Sequence, residues 1–411
     1  MPSQEVLRSQ TTPEDVALIA SSSYAYSPFR KQGVQKFTDF IRKKVTEPYG
    51  KIAKTGGKID QEWHKEGTLL GELYFTAVLP ALAIPGDGTY ARYADFVALQ
   101  LIEKVTLKYG SNEIYQVTPE AIFHEYDLMN NEQKRNFEEI HSGNLTPAER
   151  NTLATSTQKI RFKIPLPWSK DDTHSIPICA LTAKPRVYLE FNKAQDIIQT
   201  DGTKLTEITL QEPSFEGQYI DMTGNVRQEI TDMTMRRDGK TDLFTEYIRY
   251  DHTIASGSLG GDKKVNIDLG EIEGPVSHIT AIIRTAAQID NTTADVAYYD
   301  IDASLLSGVK YGMKAKDLTL IEEMDAEKER VALVNKYFCS GPDSKCLIAN
   351  WSEYPGVCDV SAGHLQFNSY SKPLFSISRT VDFGEDVVIT FIAHRYNWLN
   401  QQGGNLIRLW A

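Results

Sequence analysis

Eight histidines, His64, His124, His141, His174, His252, His278, His364 and His394, are the first residues in this chain that could do chemistry. Imidazole titrates near neutrality and is the commonest metal ligand. A zinc site of the H-E-x-x-H kind needs two of them at i, i+4. A metal-binding double barrel of the cupin kind places a His-x-His pair on one strand. No two histidines here stand at i, i+2 or i, i+4. Each is therefore expected to be a surface or structural residue. His364 opens the stretch "SAGHLQFNSYSKPLFSI" (361–377) with no nucleophile motif beside it, and reads as solvent-facing or interfacial.

The four cysteines, Cys179, Cys339, Cys346 and Cys358, lack the tight C-x2–4-C pairs that tetrahedral zinc favours. Free thiols are the main reading, a disulfide among the last three stays open, and the usage looks intracellular. No G-x-S-x-G elbow, P-loop or G-x-G-x-x-G occurs. "GDGTYARYAD" (86–95) reads as a turn, and the acid-rich "EEMDAEKER" (322–330) as a solvated helix face. Aromatic residues are scattered and do not alternate with basic ones as in a single-strand nucleic-acid groove. The candidate catalytic, cofactor-binding and metal-ligating sets are empty, and no enzyme activity is expected.

The net charge of −11 argues against a counterion-releasing nucleic-acid binder, which needs a basic face. The basic segments are short, "FRKQGVQKFTDFIRKK" (29–44) and "MRRDGK" (235–240), and read as solvated surface. The N-terminus shows no charged-then-apolar leader. The longest mainly apolar run, 73–86, contains two prolines and is too short to span a bilayer. Sequons at Asn144, Asn291 and Asn350 read as chance matches.

The elements that would position these residues are mostly strands. At 411 residues the chain exceeds the size of a single core, so two domains are expected. "LIEKVTLKYGSNEIYQV" (101–117) alternates, with Leu101, Val105, Leu107 and Tyr109 on one face and Lys104, Thr106 and Lys108 on the other, before a hairpin turn at "GSNE". "EGTLLGELYFTAVLPAL" (66–82) is continuously apolar, as a core strand would be. Two helices are expected in an excursion over 118–157. Thr118 precedes Pro119 in the first; Thr146, Pro147 and Glu149 make a capping box in the second. A helical pattern also appears at 320–338.

The expected architecture is all-β: two eight-stranded sandwiches with short helices in long loops. The expected divisions are an N-terminal arm (1–28), a first sandwich (29–195), a polar linker (196–216) and a second sandwich (217–411).

The order of segments resembles the double jelly-roll major capsid proteins of nucleocytoplasmic large DNA viruses, of iridovirus and phycodnavirus type, from about residue 35 to the C-terminus. "KFTDFIRKKV" is similar to the family's opening Arg/Lys-x-Thr-x-Phe strand. "GTLLGELYFTAVLPAL" is similar to its Gly-Asp-Leu-Ile strand, and "KIPLPW" to its Ile-Pro-Leu-Pro-Phe-Trp. In the second half "LFTEYIRYDHTI" and "KVNIDLGEIEGPVSHITAIIR" resemble the strand leading to an Asn-His-Pro-Val turn. "RYNWLNQQGGNLIRLWA" resembles the closing segment with its paired glycines. Asn368-Ser369-Tyr370 departs from the family's Ser-Arg-Ile-Asp, and Ser361-Ala362-Gly363 from its Pro-Ser-Gly.

The resemblance implies a structural virion protein: a homotrimer forming a pseudo-hexagonal capsomer of an icosahedral shell. It implies contacts with neighbouring capsomers, pentons and minor or cement proteins. Proximity to an internal viral membrane and assembly in the host cytoplasm go with it, as does the absence of direct nucleic-acid contact. A capsid-related scaffold or minor shell protein fits the same residues. So do a two-domain glycan-binding sandwich and a double-barrel metal enzyme, the last only if histidines cluster in space.

Overall fold

A computed structural model describes residues 40–169, 174–222, 224–236, 239–261, 263–289, 298–299, 301–316, 318–326, 328, 346–353, 363–370 and 372–409. The first half contributes eight principal strands: β1 (Phe40–Pro48), β2 (Lys58–Glu62), β3 (Leu69–Leu79), β4 (Ile102–Tyr109), β5 (Asn112–Val117), β6 (Gln158–Ile164), β7 (Pro185–Phe191) and β8 (Thr209–Met222). They form two four-stranded antiparallel sheets, ordered β1-β8-β3-β6 and β2-β7-β4-β5.

The second half contributes β9 (Lys240–Ile254), β10 (Lys264–Asp268), β11 (Pro275–Thr285), β12 (Val309–Ala315), β13 (Leu318–Asp325), β14 (Cys346–Asn350), β15 (Pro373–Arg379) and β16 (Val387–Gln402). Their sheets are β9-β16-β11-β14 and β10-β15-β12-β13. Adding eight to each strand of the first half reproduces the second. In both halves the eighth strand lies between the first and the third, which is jelly-roll order. Short two- to four-residue strands at 53–54, 91–93, 198–200, 365–366 and 405–408 decorate this frame.

The alternation expected in 101–117 is present, as β4 and β5 joined at Gly110 (φ +62). Val105 and Leu107 are fully buried, while Lys104 and Lys108 point outward. The outer face is neutralised across strands. Lys58 on β2 pairs with Glu190 on β7 at 2.6 Å, and Lys58 and Lys108 both lie 5.2 Å from the Tyr188 ring centre. The partner sheet does the same, with Lys44 and Arg161 on Glu216 at 2.7 and 3.0 Å. Arg161 also sits 3.8 Å from the Tyr74 ring centre. Such cross-strand pairs fix register more than they add stability.

Between β5 and β6 lie α1 (Pro119–Glu125), α2 (Asn131–His141) and α3 (Pro147–Ala154). The capping box expected at Thr146 is formed, with the Glu149 N–H donating to the Thr146 hydroxyl and the Thr146 N–H to the Glu149 carboxylate. Thr118 makes no such side-chain cap.

Two expectations need correction. The segment 196–216 is not a free linker: it carries the strand 198–200 and half of β8, which hydrogen-bonds β1 and β3 inside the first sandwich. The connection between sandwiches is instead α4 (Gly224–Met235). The helical pattern at 320–338 begins as strand β13, held by β12, so the first four residues of the acidic run 322–330 belong to an edge strand; residues 327 and 329–338 lie outside the described residues. Within 361–377, Leu365–Gln366 is a two-residue strand and β15 follows it. A single 3-10 turn at Phe367–Ser369 separates Leu365–Gln366 from β15. Phe375 and Ile377 do face the second core, and His364 is exposed at the edge of the Tyr396 ring.

The turn at 86–95 also has a partner that its own sequence did not show. Gly86-Asp87-Gly88-Thr89 meets Thr200-Asp201-Gly202-Thr203, and each aspartate accepts hydrogen bonds from the other loop's threonine. Thr89 N–H and O–H donate to Asp201 at 2.7 and 2.5 Å; Thr203 N–H and O–H donate to Asp87 at 3.0 and 2.6 Å. The loops approach so closely that a Cβ on Gly202 would stand 2.9 Å from the Gly88 nitrogen. These bonds hold both carboxyls below their ordinary range.

Candidate functional site at the joint between the two sandwiches

The densest set of buried ionisable groups lies where the sandwiches meet. It starts from strand periodicity. In β11, Ile279, Ala281 and Ile283 face the second core, whereas His278, Thr280, Ile282 and Arg284 face the other way. β16 repeats this, with Ile389, Phe391 and Ala393 on the core and Thr390, Ile392 and His394 opposite. In antiparallel pairing, facing residues share a side of the sheet. Tyr247, His394 and His278 therefore form one row across β9, β16 and β11, and Arg249, Ile392 and Thr280 the next. Ile348 and Cys346 extend the face onto β14.

A solvated sheet would leave these polar residues wet. Here they are covered by the first half. Phe244, Ile282, Tyr299, Ile348 and Ile392 belong to the same apolar cluster as the first sandwich's core. Helix α1 projects Glu120, His124 and Glu125 onto the rows. Phe123 and Phe96 meet Tyr299 at ring-centre distances of 4.7 and 6.3 Å. The His124, His394 and Arg284 side chains have no solvent exposure.

Two polar networks result. In one, Glu120 is the hub: Arg284 donates at 2.6 Å, Arg249 stands at 2.8 Å and the Tyr298 hydroxyl donates at 2.7 Å. Arg284 lies 4.1 Å from the Tyr298 ring centre. Burial alone would raise the Glu120 carboxyl. Arg284, with His124 and Arg249, outweighs it and holds the group well below the usual carboxylate range. In the other network, the His278 and His394 rings stack at 3.8 Å with 21° between planes. Thr280 Oγ1 lies 2.8 Å from His124 Nδ1 and 3.3 Å from His394 Nε2. Tyr247 donates to Glu125 at 2.5 Å, and Glu125 is 3.8 Å from His394 Nδ1.

The Ser277 hydroxyl lies 2.9 Å from His278 Nδ1, a spacing a nucleophile and its base would share. It also reaches the His394 carbonyl at 3.0 Å, and both residues are sealed from solvent. That geometry satisfies buried polar atoms and gives a substrate no route in. Among the described residues no group of three or more His, Cys, Asp or Glu side chains could hold a metal ion.

A second contact closes the far side of the joint. The hairpin after β16 turns at Gly403–Gly404, the paired glycines noted in the sequence. The Gly404 carbonyl accepts from the Tyr109 hydroxyl at 2.6 Å and the Thr182 N–H at 2.8 Å. Gly404 has φ +75, and a Cβ there would stand 2.8 Å from Thr182 Cγ2. Only glycine fits both the backbone and the space.

Of the eight histidines, four are buried, and the fold gathers three of those, His124, His278 and His394, from distant parts of the chain. His141 is buried in the first sandwich, and His64, His174, His252 and His364 keep solvent contact. No spacing rule could find the cluster, because its members sit on three separate elements. The readable trace was a strand, "SHITAIIR", with polar residues at alternate positions yet a sequence context of core strands on either side.

A family profile described as major capsid protein N-terminus matches residues 28–236, just over half of the chain. No curated protein sequence matches it. Among solved structures, it is similar to VP54 of the virus PBCV-1, as fitted into a reconstruction of the virophage Sputnik (TM-score 0.71, 13% identity, 93% of this chain and 100% of that one). It is also similar to the Faustovirus major capsid protein (TM-score 0.66, 11% identity, 97% and 94%) and to a chain of the Sputnik virophage structure (TM-score 0.57, 8% identity, 93% and 92%).

Proposed function

Since this chain belongs to the major capsid protein family and is a structural protein of a virus capsid, we propose that it assembles as a homotrimer forming one pseudo-hexagonal unit of an icosahedral shell. The observation that supports this reading is the strand order repeated with an offset of eight. Three chains then offer six similar sandwiches, and a closed ring built from one repeated heterologous contact brings them to nearly sixfold outline. The fixed joint supports it further, because a tile needs its two sandwiches at one constant angle.

The two domains of that reading are Phe40–Met222 and Lys240–Gln402, joined through α4. Neighbouring trimers, pentons and minor or cement proteins are the proposed partners, with an internal membrane near the base and no direct contact with the genome. The acidic net charge agrees with the last point. Assembly in the host cytoplasm and the lack of enzymatic activity belong to the same proposal.

Size-exclusion chromatography with light scattering tests it. The expected mass is three times that of the chain, with six-sided, three-lobed particles in negative stain. A monomer under every salt and protein concentration tried would overturn it.

A further inference from the structure

Given the trimer of the capsid reading, on which this rests, we infer that the outer face of β1-β8-β3-β6 is the docking surface for the β13 edge of a second copy of this chain. These are the two surfaces that would close the ring.

The repeated strand order matches each surface of one sandwich to a counterpart in the other. Within the chain, the outer face of β9-β16-β11-β14 is covered by β5 and α1 of the first sandwich. Strand β5 runs against β9, where Tyr115 meets Phe244 edge-on at 5.8 Å. That joint uses one face and one edge. Their counterparts stay open: among the described residues β1 is paired only by β8, and β13 only by β12. A ring built from one repeated heterologous contact brings these two leftover surfaces together.

Exposure follows the same division. Phe244, Thr245 and Glu246 on β9 are buried. On its counterpart β1, every residue from Phe40 to Lys44 is exposed, with Phe40 at 53% and Ile41 at 61%. Leu318, which opens β13, is 53% exposed. A bare edge with apolar side chains pairs with whatever strand is near, and a second copy in a fixed place prevents that.

The face has the relief and the charge to receive a strand edge. Two adjoining hollows of about 420 and 410 Å³ share Lys159, one over Thr46, Thr76 and Ser214, the other between Arg161 and α2. Lys44 and Arg161 rest on Glu216, and Lys163 on Glu72, with all three cations partly in water. Strand β13 brings Glu322 and Glu323, both exposed, the second held by Lys264. Ion pairs this wet exchange partners at little cost, so cations of the face can turn to the arriving carboxylates. The contact between chains is then a polar, reversible counterpart of the apolar joint within each chain.

Charge reversal on the full-length chain, read by size-exclusion chromatography with light scattering, tests this. At a concentration where the wild type is a trimer, Lys159→Glu with Arg161→Glu should give a folded monomer by circular dichroism. So should Glu322→Lys with Glu323→Lys. The chain carrying all four substitutions should regain the threefold mass, because the reversed face then meets a reversed edge. A trimer kept by either two-site variant overturns the inference, as does a four-site chain that stays monomeric. If a variant does not fold, carbodiimide cross-linking of mixed ¹⁴N- and ¹⁵N-labelled wild-type chains decides. Interchain links should join Lys44, Lys159 or Lys163 to Glu322 or Glu323, and interchain links found only elsewhere overturn the assignment. A wild-type chain that is itself monomeric overturns the capsid reading instead, and the docking surface with it.

Discussion

At the scale of single residues, Glu120 is the group on which the joint depends most. It is buried, and two guanidiniums, Arg284 and Arg249, close on it. A buried ion pair adds little relative to apolar residues of similar shape, but removing one partner strands the other. Glu120→Gln should lower unfolding stability by about 3–5 kcal/mol, and the double change with Arg284→Met should cost less than the sum of the two, as a denaturant double-mutant cycle would show. His141 gives a pH prediction of its own. It packs on Phe137 and Phe162, and burial, with Lys163 nearby, pushes it down to about 3. Because its folded pKa is depressed, the neutral ring's contribution is full above the unfolded value and is lost as pH falls from about 6.5 towards 3. His141→Phe should flatten the acid side of the melting-temperature profile.

At the scale of elements, what could be read from the sequence depended on whether an element's environment was set locally. The β4–β5 hairpin was readable because one face meets the core and the other meets water, so period two shows directly. The α3 start was readable because Thr146, Pro147 and Glu149 carry the cap within four residues. Thr146→Ala should cost about 1 kcal/mol and raise amide exchange in the first turn of α3 without touching α1. The same device in α2, Asn130 with Gln133, was equally local, and its polar composition hid it. β8 was masked differently. Its edge residues Gln211 and Glu212 and a register shift before Ser214, with Glu212 at φ +47, give it the composition of a loop. The joint face of β11 left only the trace in "SHITAIIR", since His278, Thr280 and Arg284 look like a wet face until a second domain covers them.

At the scale of the whole molecule, the two halves share a strand order and differ in what covers them. The first sandwich turns charge-laddered outer faces to solvent; the second gives the outer face of one sheet to the joint. A ring of three such chains would alternate two unlike units, so its true symmetry is threefold inside a nearly sixfold outline.

Jelly-roll order carries a consequence in time. The strand that completes each sheet is the last to leave the ribosome: β8 inserts between β1 and β3, and β16 between β9 and β11, where it pairs with fifteen residues of β9. Until residue 387 has emerged, β9 and β11 each present a bare edge towards the gap that β16 will fill. Such edges recruit foreign strands. A chain ending at residue 386 should therefore pellet on expression, whereas one ending at residue 402 should remain dispersed with a weakened joint, and a soluble, cooperatively melting 1–386 fragment would contradict this order of events. The nascent second sandwich is all-or-nothing: it waits, unsealed, for its final sixteen-residue strand.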